Sequence, residues 1–175
     1  MKQKKHTKGF TLLELAVVVG VAGMLLALAT PSFLSMLRST RLTTVTNQYI
    51  ATLMFARSEA VKRALDVTVD FNIDGHPLVV RLAECQLEDC WIRAMDKLPP
   101  EYVSTLHTEN ANVTYQSSGM MTPSGYLQIC TPYLTRVIIL PFTGHLHLAK
   151  DRDNNGLPEV FDVVNNVFKD VSPCP

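Results

Sequence analysis

Recognisable catalytic machinery is missing from this sequence. It contains no nucleophile elbow, phosphate-binding glycine loop, zinc-protease helix or paired C-x-x-C, so no linear pattern sets a base beside a nucleophile. There is no charge excess either. Sixteen Lys and Arg balance 16 Asp and Glu, which excludes a global field drawing the chain to nucleic acid. Internal repeats and low-complexity segments are absent as well. Within Leu12 to Ala29 even single charges run out, and Glu14 is the one ionisable side chain there.

That lone acid is a physical anomaly. An ionised carboxylate inside hydrocarbon costs roughly 2.5–3.5 kcal/mol on insertion scales unless something pairs with it. Four lysines precede the run, and their excess keeps the N-terminus cytoplasmic, so the chain beyond about residue 32 is expected outside. A secretory signal peptide ending at Ala27-x-Ala29 is one reading. A plain single-pass anchor carrying an external domain, with Glu14 reaching the interface, is another. A signal-peptide core is about 7–15 residues long and a bilayer span about 20, so length favours the anchor.

At Gly9-Phe10-Thr11-Leu12-Leu13-Glu14 the sequence resembles the type IV prepilin signature, a short basic leader followed by G-F-T-L-x-E and an apolar helix. The resemblance implies cleavage after Gly9 by a prepilin peptidase and N-methylation of the new terminal residue, Phe10. It also implies an assembly role for Glu14, pairing with the terminal amine of a neighbouring subunit. Glycine suits the cut because it lets another backbone approach closely.

Beyond the run, Pro31 is expected to kink or open the helix. Leu42, Val45, Tyr49, Leu53, Ala56 and Ala60 then recur every three or four residues, which predicts an amphipathic helix to about Leu65. Short β-like segments follow. Val67–Phe71 and Leu78–Leu82 flank a turn at Asp74-Gly75-His76-Pro77, and further strands are expected at Asn112–Gln116, Tyr126–Cys130, Arg136–Leu140 and Leu146–Ala149. Glu84 to Ser104, with Pro99-Pro100, reads mostly as loop. The fold class is therefore α+β: a long N-terminal transmembrane and amphipathic α-helix packed on a pilin-like antiparallel β-sheet domain. The expected division is leader 1–9, transmembrane segment 10–31, amphipathic half 32–65 and periplasmic domain 66–175. Cys85, Cys90, Cys130 and Cys174 in an exported domain suggest disulfides. Cys85 with Cys90 and Cys130 with Cys174 is one pairing of three, and the sequence does not choose.

Ala56-Arg57-Ser58-Glu59-Ala60-Val61-Lys62-Arg63 resembles the helix signature of the GspH/FimT minor pilins and pseudopilins. Leu127–Thr131 with Arg136–Leu140 and Thr143-Gly144 resembles the paired strands of that domain. By itself Glu59 with Arg63 is an ordinary i,i+4 helix pair. The resemblance implies a filament subunit of a type IV pilus or a type II secretion pseudopilus, with a biogenesis, initiation or tip role. It also implies residence in the bacterial inner membrane before incorporation, and partnership with the peptidase and other pilins. It does not imply an enzyme. DNA-binding members carry G-R-x-R where this chain has Gly144-His145-Leu146-His147. Two imidazoles replace two guanidiniums, so most fixed charge for phosphate contact is lost near neutral pH and DNA is not the expected partner.

His145 and His147 share a strand face but lack a third ligand at close spacing. Asp151-x-Asp153-x-Asn155-Gly156 reads as the first half of a calcium loop, with Glu159 and Asp162 at the ninth and twelfth places. A polar turn accounts for the same residues. No other cofactor is expected.

Overall fold

A computed structural model describes residues 10–85, 90–152, 157–162 and 167–171, with side chains described except at 28–32, 161–162 and 167–168. The chain forms two compact units, Met1–Arg41 and Leu42–Pro175. One helix, α1 (Leu12–Arg63), runs through both. The backbone stays α-helical across Pro31, so the helix continues past the proline. A proline removes one intrahelical donor, and the turns on either side still hold the helix.

Helix α1 stops by a defined geometry. Ala64 takes a left-handed φ of 54°, its N–H reaches the Val61 carbonyl and the Leu65 N–H reaches that of Ala60. This pair of bonds is the Schellman arrangement, in which left-handed backbone satisfies the last helical carbonyls. Lys62 and Arg63 lie in the final turn, where cations oppose the helix dipole.

In the second unit the predicted apolar stripe is the core face of the helix. Leu42, Val45, Tyr49, Leu53, Ala56 and Ala60 are all buried. Among the described residues eleven strands follow in chain order, beginning with β1 (Val67–Ile73) and β2 (His76–Leu82). Ile73 pairs with His76 across Asp74-Gly75, both with positive φ. That is the two-residue hairpin loop that Asp-Gly favours, because its twist matches the strands. β3 (Trp91–Ala94), β5 (Asn112–Tyr115) and β6 (Met121–Thr122) complete a five-stranded sheet in the order β3-β2-β1-β5-β6. A second, four-stranded sheet has the order β4-β7-β8-β9, formed by Val103–His107, Gly125–Cys130, Thr135–Leu140 and His147–Leu148. β10 (Glu159–Asp162) and β11 (Val167–Asp170) pair as a hairpin.

Every one of these pairings is antiparallel, so the α+β class holds, with the strands divided among two larger sheets and the separate β10–β11 hairpin. The stretch expected as loop, Glu84 to Ser104, contains β3 and the start of β4. β3 is only four residues long and interrupted by Arg93, so it lacks the alternation that marks a strand in sequence and is defined by pairing with β2.

Val67, Val69 and Phe71 of β1 face Leu82, Val80 and Leu78 of β2 across one register. Val113 and Tyr115 of β5 continue the rows of Val69 and Val67. Leu127, Ile129, Ile138 and Leu140 of the second sheet belong to the same apolar cluster. Fully burying an aliphatic side chain stabilises by about 1.5–3 kcal/mol, so this shared core is what joins helix and sheets in the second unit. On the reverse of the first sheet a polar row takes over. Arg81 Nε donates to Asp70 Oδ2 at 2.5 Å, and Arg81 Nη1 donates to the Cys85 carbonyl at 2.8 Å. Thr68 and Thr114 bond through their hydroxyls at 3.0 Å.

Candidate functional site

The first described residues carry the candidate site. Phe10 and Thr11 precede the helix, and Leu12 begins it. The Glu14 N–H donates to Thr11 Oγ1 at 3.2 Å, and the Leu15 N–H donates to the Thr11 carbonyl at 3.1 Å. Thr11 is thus the N-cap, its side chain satisfying an amide that has no partner within the helix. Glu14 sits in the first turn, where a negative charge meets the positive end of the helix dipole. Its carboxylate has no partner among the described residues. Gly9 lies outside them.

The surroundings of Glu14 are unusual for a helix meeting water. Phe10, Leu12 and Leu13 are each more than three-quarters exposed, and Val17, Val18, Val19 and Val21 more than half. Successive residues turn about 100° around an α-helix, so three exposed valines in a row mean the surface is apolar all round. A helix of that kind is normally covered by lipid or by other protein. Among the residues with described side chains, no helix is long and apolar enough to cross a membrane. The apolar run of the sequence continues into 28–32, whose side chains fall outside that set.

The other predicted positions are spread over the second unit. Cys85 and Cys90 form a disulfide with Cα atoms 6.0 Å apart. Cys130, on β7, is buried and disulfide-bonded as well. Cys174 lies outside the described residues. Asp151 is exposed, whereas Asp153 and Asn155 of the calcium reading also fall outside that description. Among the described residues no three metal-ligating side chains cluster. Gly144 is buried with φ 72°, and His145 and His147 are exposed on the way into β9.

Arg57 and Glu59 prove to be more than helix surface. Glu59 is buried, and it receives Arg63 Nε at 2.6 Å. Arg57 Nε donates to the Gly119 carbonyl at 2.9 Å, and Nη2 to that of Thr143 at 3.4 Å. A Cβ placed on Gly144 would lie 2.4 Å from the Gly119 carbonyl oxygen. Helix, β5–β6 turn and β8–β9 turn therefore meet at one guanidinium. Tyr115 packs beside this junction; burial pushes its phenol well above the ordinary value, and the Arg57 charge pulls the other way. Its hydroxyl has no hydrogen-bond partner among the described residues. Spacing alone could not find the Arg57 contacts, whereas T-x-x-E before an apolar run was a readable sign of the Thr11 cap.

Comparisons with known proteins fall on the same two regions. The family described as the prokaryotic N-terminal methylation motif matches residues 4–30. The family described as type II transport protein GspH matches residues 45–144, more than half of the 175 residues. No curated protein sequence matches. Among solved structures, the type IV minor pilin FimU of Pseudomonas aeruginosa is 19% identical, with 65% of this chain and 91% of that one covered and a TM-score of 0.55. The minor pseudopilin EpsH from the type 2 secretion system of Vibrio cholerae is 16% identical over 61% of this chain and 94% of its own, with a TM-score of 0.47. At such identities the FimU likeness speaks for the fold alone. The family match carries the assignment: this chain belongs to the GspH family of type II transport proteins, the minor pilins and pseudopilins, and bears their N-terminal methylation motif.

Proposed function

We propose that this chain is made as a membrane-anchored precursor and becomes a minor subunit of a periplasmic filament. A prepilin peptidase cuts after Gly9, the amine of Phe10 is methylated, and the apolar part of α1 moves from lipid into a bundle of similar helices. The Glu14 carboxylate then pairs with the terminal amine of a neighbour and sets the axial register. The second unit stays in the periplasm, and the protein acts by assembly and serves as the peptidase's substrate. The filament is a type IV pilus or a type II secretion pseudopilus.

One observation carries this reading: a helix apolar on every side surrounds a single carboxylate that has no partner among the described residues. Both solvents open to such a helix, lipid and other helices, leave that charge dependent on a partner from another chain. A DNA-binding role is disfavoured, because Gly144-His145-Leu146-His147 supplies imidazoles instead of fixed guanidinium charges.

Mass spectrometry of the mature N-terminus together with a Glu14→Ala variant tests the proposal. N-methyl-Phe10 in both proteins, with Glu14→Ala lost from sheared filaments, is the expected result. An intact leader, a start at Thr30, or normal incorporation of Glu14→Ala sinks it.

A further inference from the structure

We propose that Thr11 is a positioning residue for assembly: as N-cap of α1 it fixes where the helix begins, and so where the Phe10 amine stands relative to the Glu14 carboxylate. This rests on the assembly reading above and deepens it. The structure supplies the geometry. Thr11 is outside the helix, its Oγ1 accepts the Glu14 N–H at 3.2 Å and its carbonyl accepts the Leu15 N–H at 3.1 Å. Glu14 is therefore the third helical residue, its N–H held by the side chain of the Thr11 N-cap, and Phe10 and Leu15 occupy the two positions of a hydrophobic staple.

Surroundings make the cap matter more here than on a protein surface. The first turn is flanked by exposed Phe10, Leu12, Leu13 and Leu15, side chains suited to apolar neighbours. Without water, an uncapped amide has no substitute acceptor. A first turn that frays would move the Glu14 backbone and release Phe10 from a defined direction. The helix below Glu14 would stay intact, so the effect falls on pairing and not on the fold of the second unit.

Valine is the discriminating replacement, because it keeps the β-branched shape of threonine and lacks the oxygen. Serine and asparagine keep a capping oxygen and lose the shape. The full-length chain is expressed with its filament system, and N-methyl-Phe10 and incorporation into sheared filaments are measured for Thr11→Val, Thr11→Ser and Thr11→Asn. Amide hydrogen exchange at Glu14 is read on the same full chains in detergent micelles. Thr11→Val should exchange about fivefold faster at Glu14, the equivalent of about 1 kcal/mol, and its incorporation should fall at least fivefold. Thr11→Ser and Thr11→Asn should stay within twofold of wild type in both measurements.

Equal exchange in Thr11→Val and wild type overturns the cap. Faster exchange with unchanged incorporation overturns the positioning role, as does failure of Ser and Asn to rescue. A wild-type chain that keeps its leader, or normal incorporation of Glu14→Ala, instead removes the assembly reading, and the positioning role falls with it.

Discussion

Arg57 Nε donates a 2.9 Å hydrogen bond to the carbonyl of Gly119, a residue 62 positions further along the chain. Hydrogen bonds from charged donors contribute about 1.5–3 kcal/mol, and the second contact, to Thr143, is longer at 3.4 Å. Arg57→Ala should therefore destabilise the second unit by about 2 kcal/mol. Arg57→Lys should recover only part of that, since an ammonium lacks the planar fork. Urea unfolding of the full chain in detergent reads both, and identical midpoints for Arg57→Ala and wild type would contradict the assigned role.

Gly144 answers to the same junction. Its φ of 72° disfavours any side chain, and an added Cβ would sit 2.4 Å from the Gly119 carbonyl oxygen and 3.2 Å from Arg57 Nε. Gly144→Ala should cost at least about 2 kcal/mol, from left-handed strain plus displacement of the β5–β6 turn. A loss below about 0.5 kcal/mol in the same unfolding assay would show that the turns move freely apart.

Ala64 offers a change in the opposite direction. It holds a left-handed φ of 54° at the end of α1, a conformation that costs an L-residue roughly 1–2 kcal/mol and glycine almost nothing. Ala64→Gly should raise stability by about 1 kcal/mol, less the extra chain entropy of glycine when unfolded. The check is a shift of the urea midpoint to higher concentration.

Alkaline pH should expose the two buried phenols. Burial raises the pKa values of Tyr115 and Tyr49 above 10, with Arg57 and Ser104 respectively acting in the other direction. Their contribution is fully present below the unfolded value near 10 and is lost as pH rises toward the folded values, because the unfolded chain gives up these protons first. Stability should therefore fall as pH climbs above 10. Tyr115→Phe should flatten that fall, and at pH 7 it should be neutral or stabilising, since it removes a hydroxyl without a partner among the described residues. An unchanged alkaline slope would refute the assignment.

Much of this architecture is legible in local pattern. The stripe from Leu42 to Ala60 is periodic at helical spacing, and all six of its named members are buried. Asp74-Gly75 announces its hairpin because both residues accept positive φ. β3 is not legible, since four residues around Arg93 carry no alternation and only pairing with β2 makes them a strand. β6, two residues long, is set in the same way by its neighbours, whereas β9 lies within the strand expected at Leu146–Ala149. At the candidate site the spacing of Phe10 and Glu14 was readable at once. The cap at Thr11 lies within the same six letters but became evident through the Glu14 N–H bond.

By itself the sequence determined what depends on near neighbours: an apolar run around one carboxylate, the start and periodicity of a long helix, and the tightest turn. Such features follow from backbone sterics and the solvent preference of successive side chains. Only the tertiary structure decided how the strands divide into two larger sheets and a separate hairpin, and that Arg57 joins α1 to turns 62 and 86 residues away. It also decided that Cys85 pairs with Cys90. Those outcomes rest on register and on the closing of long loops, whose energies belong to the packed core as a whole and to no single segment.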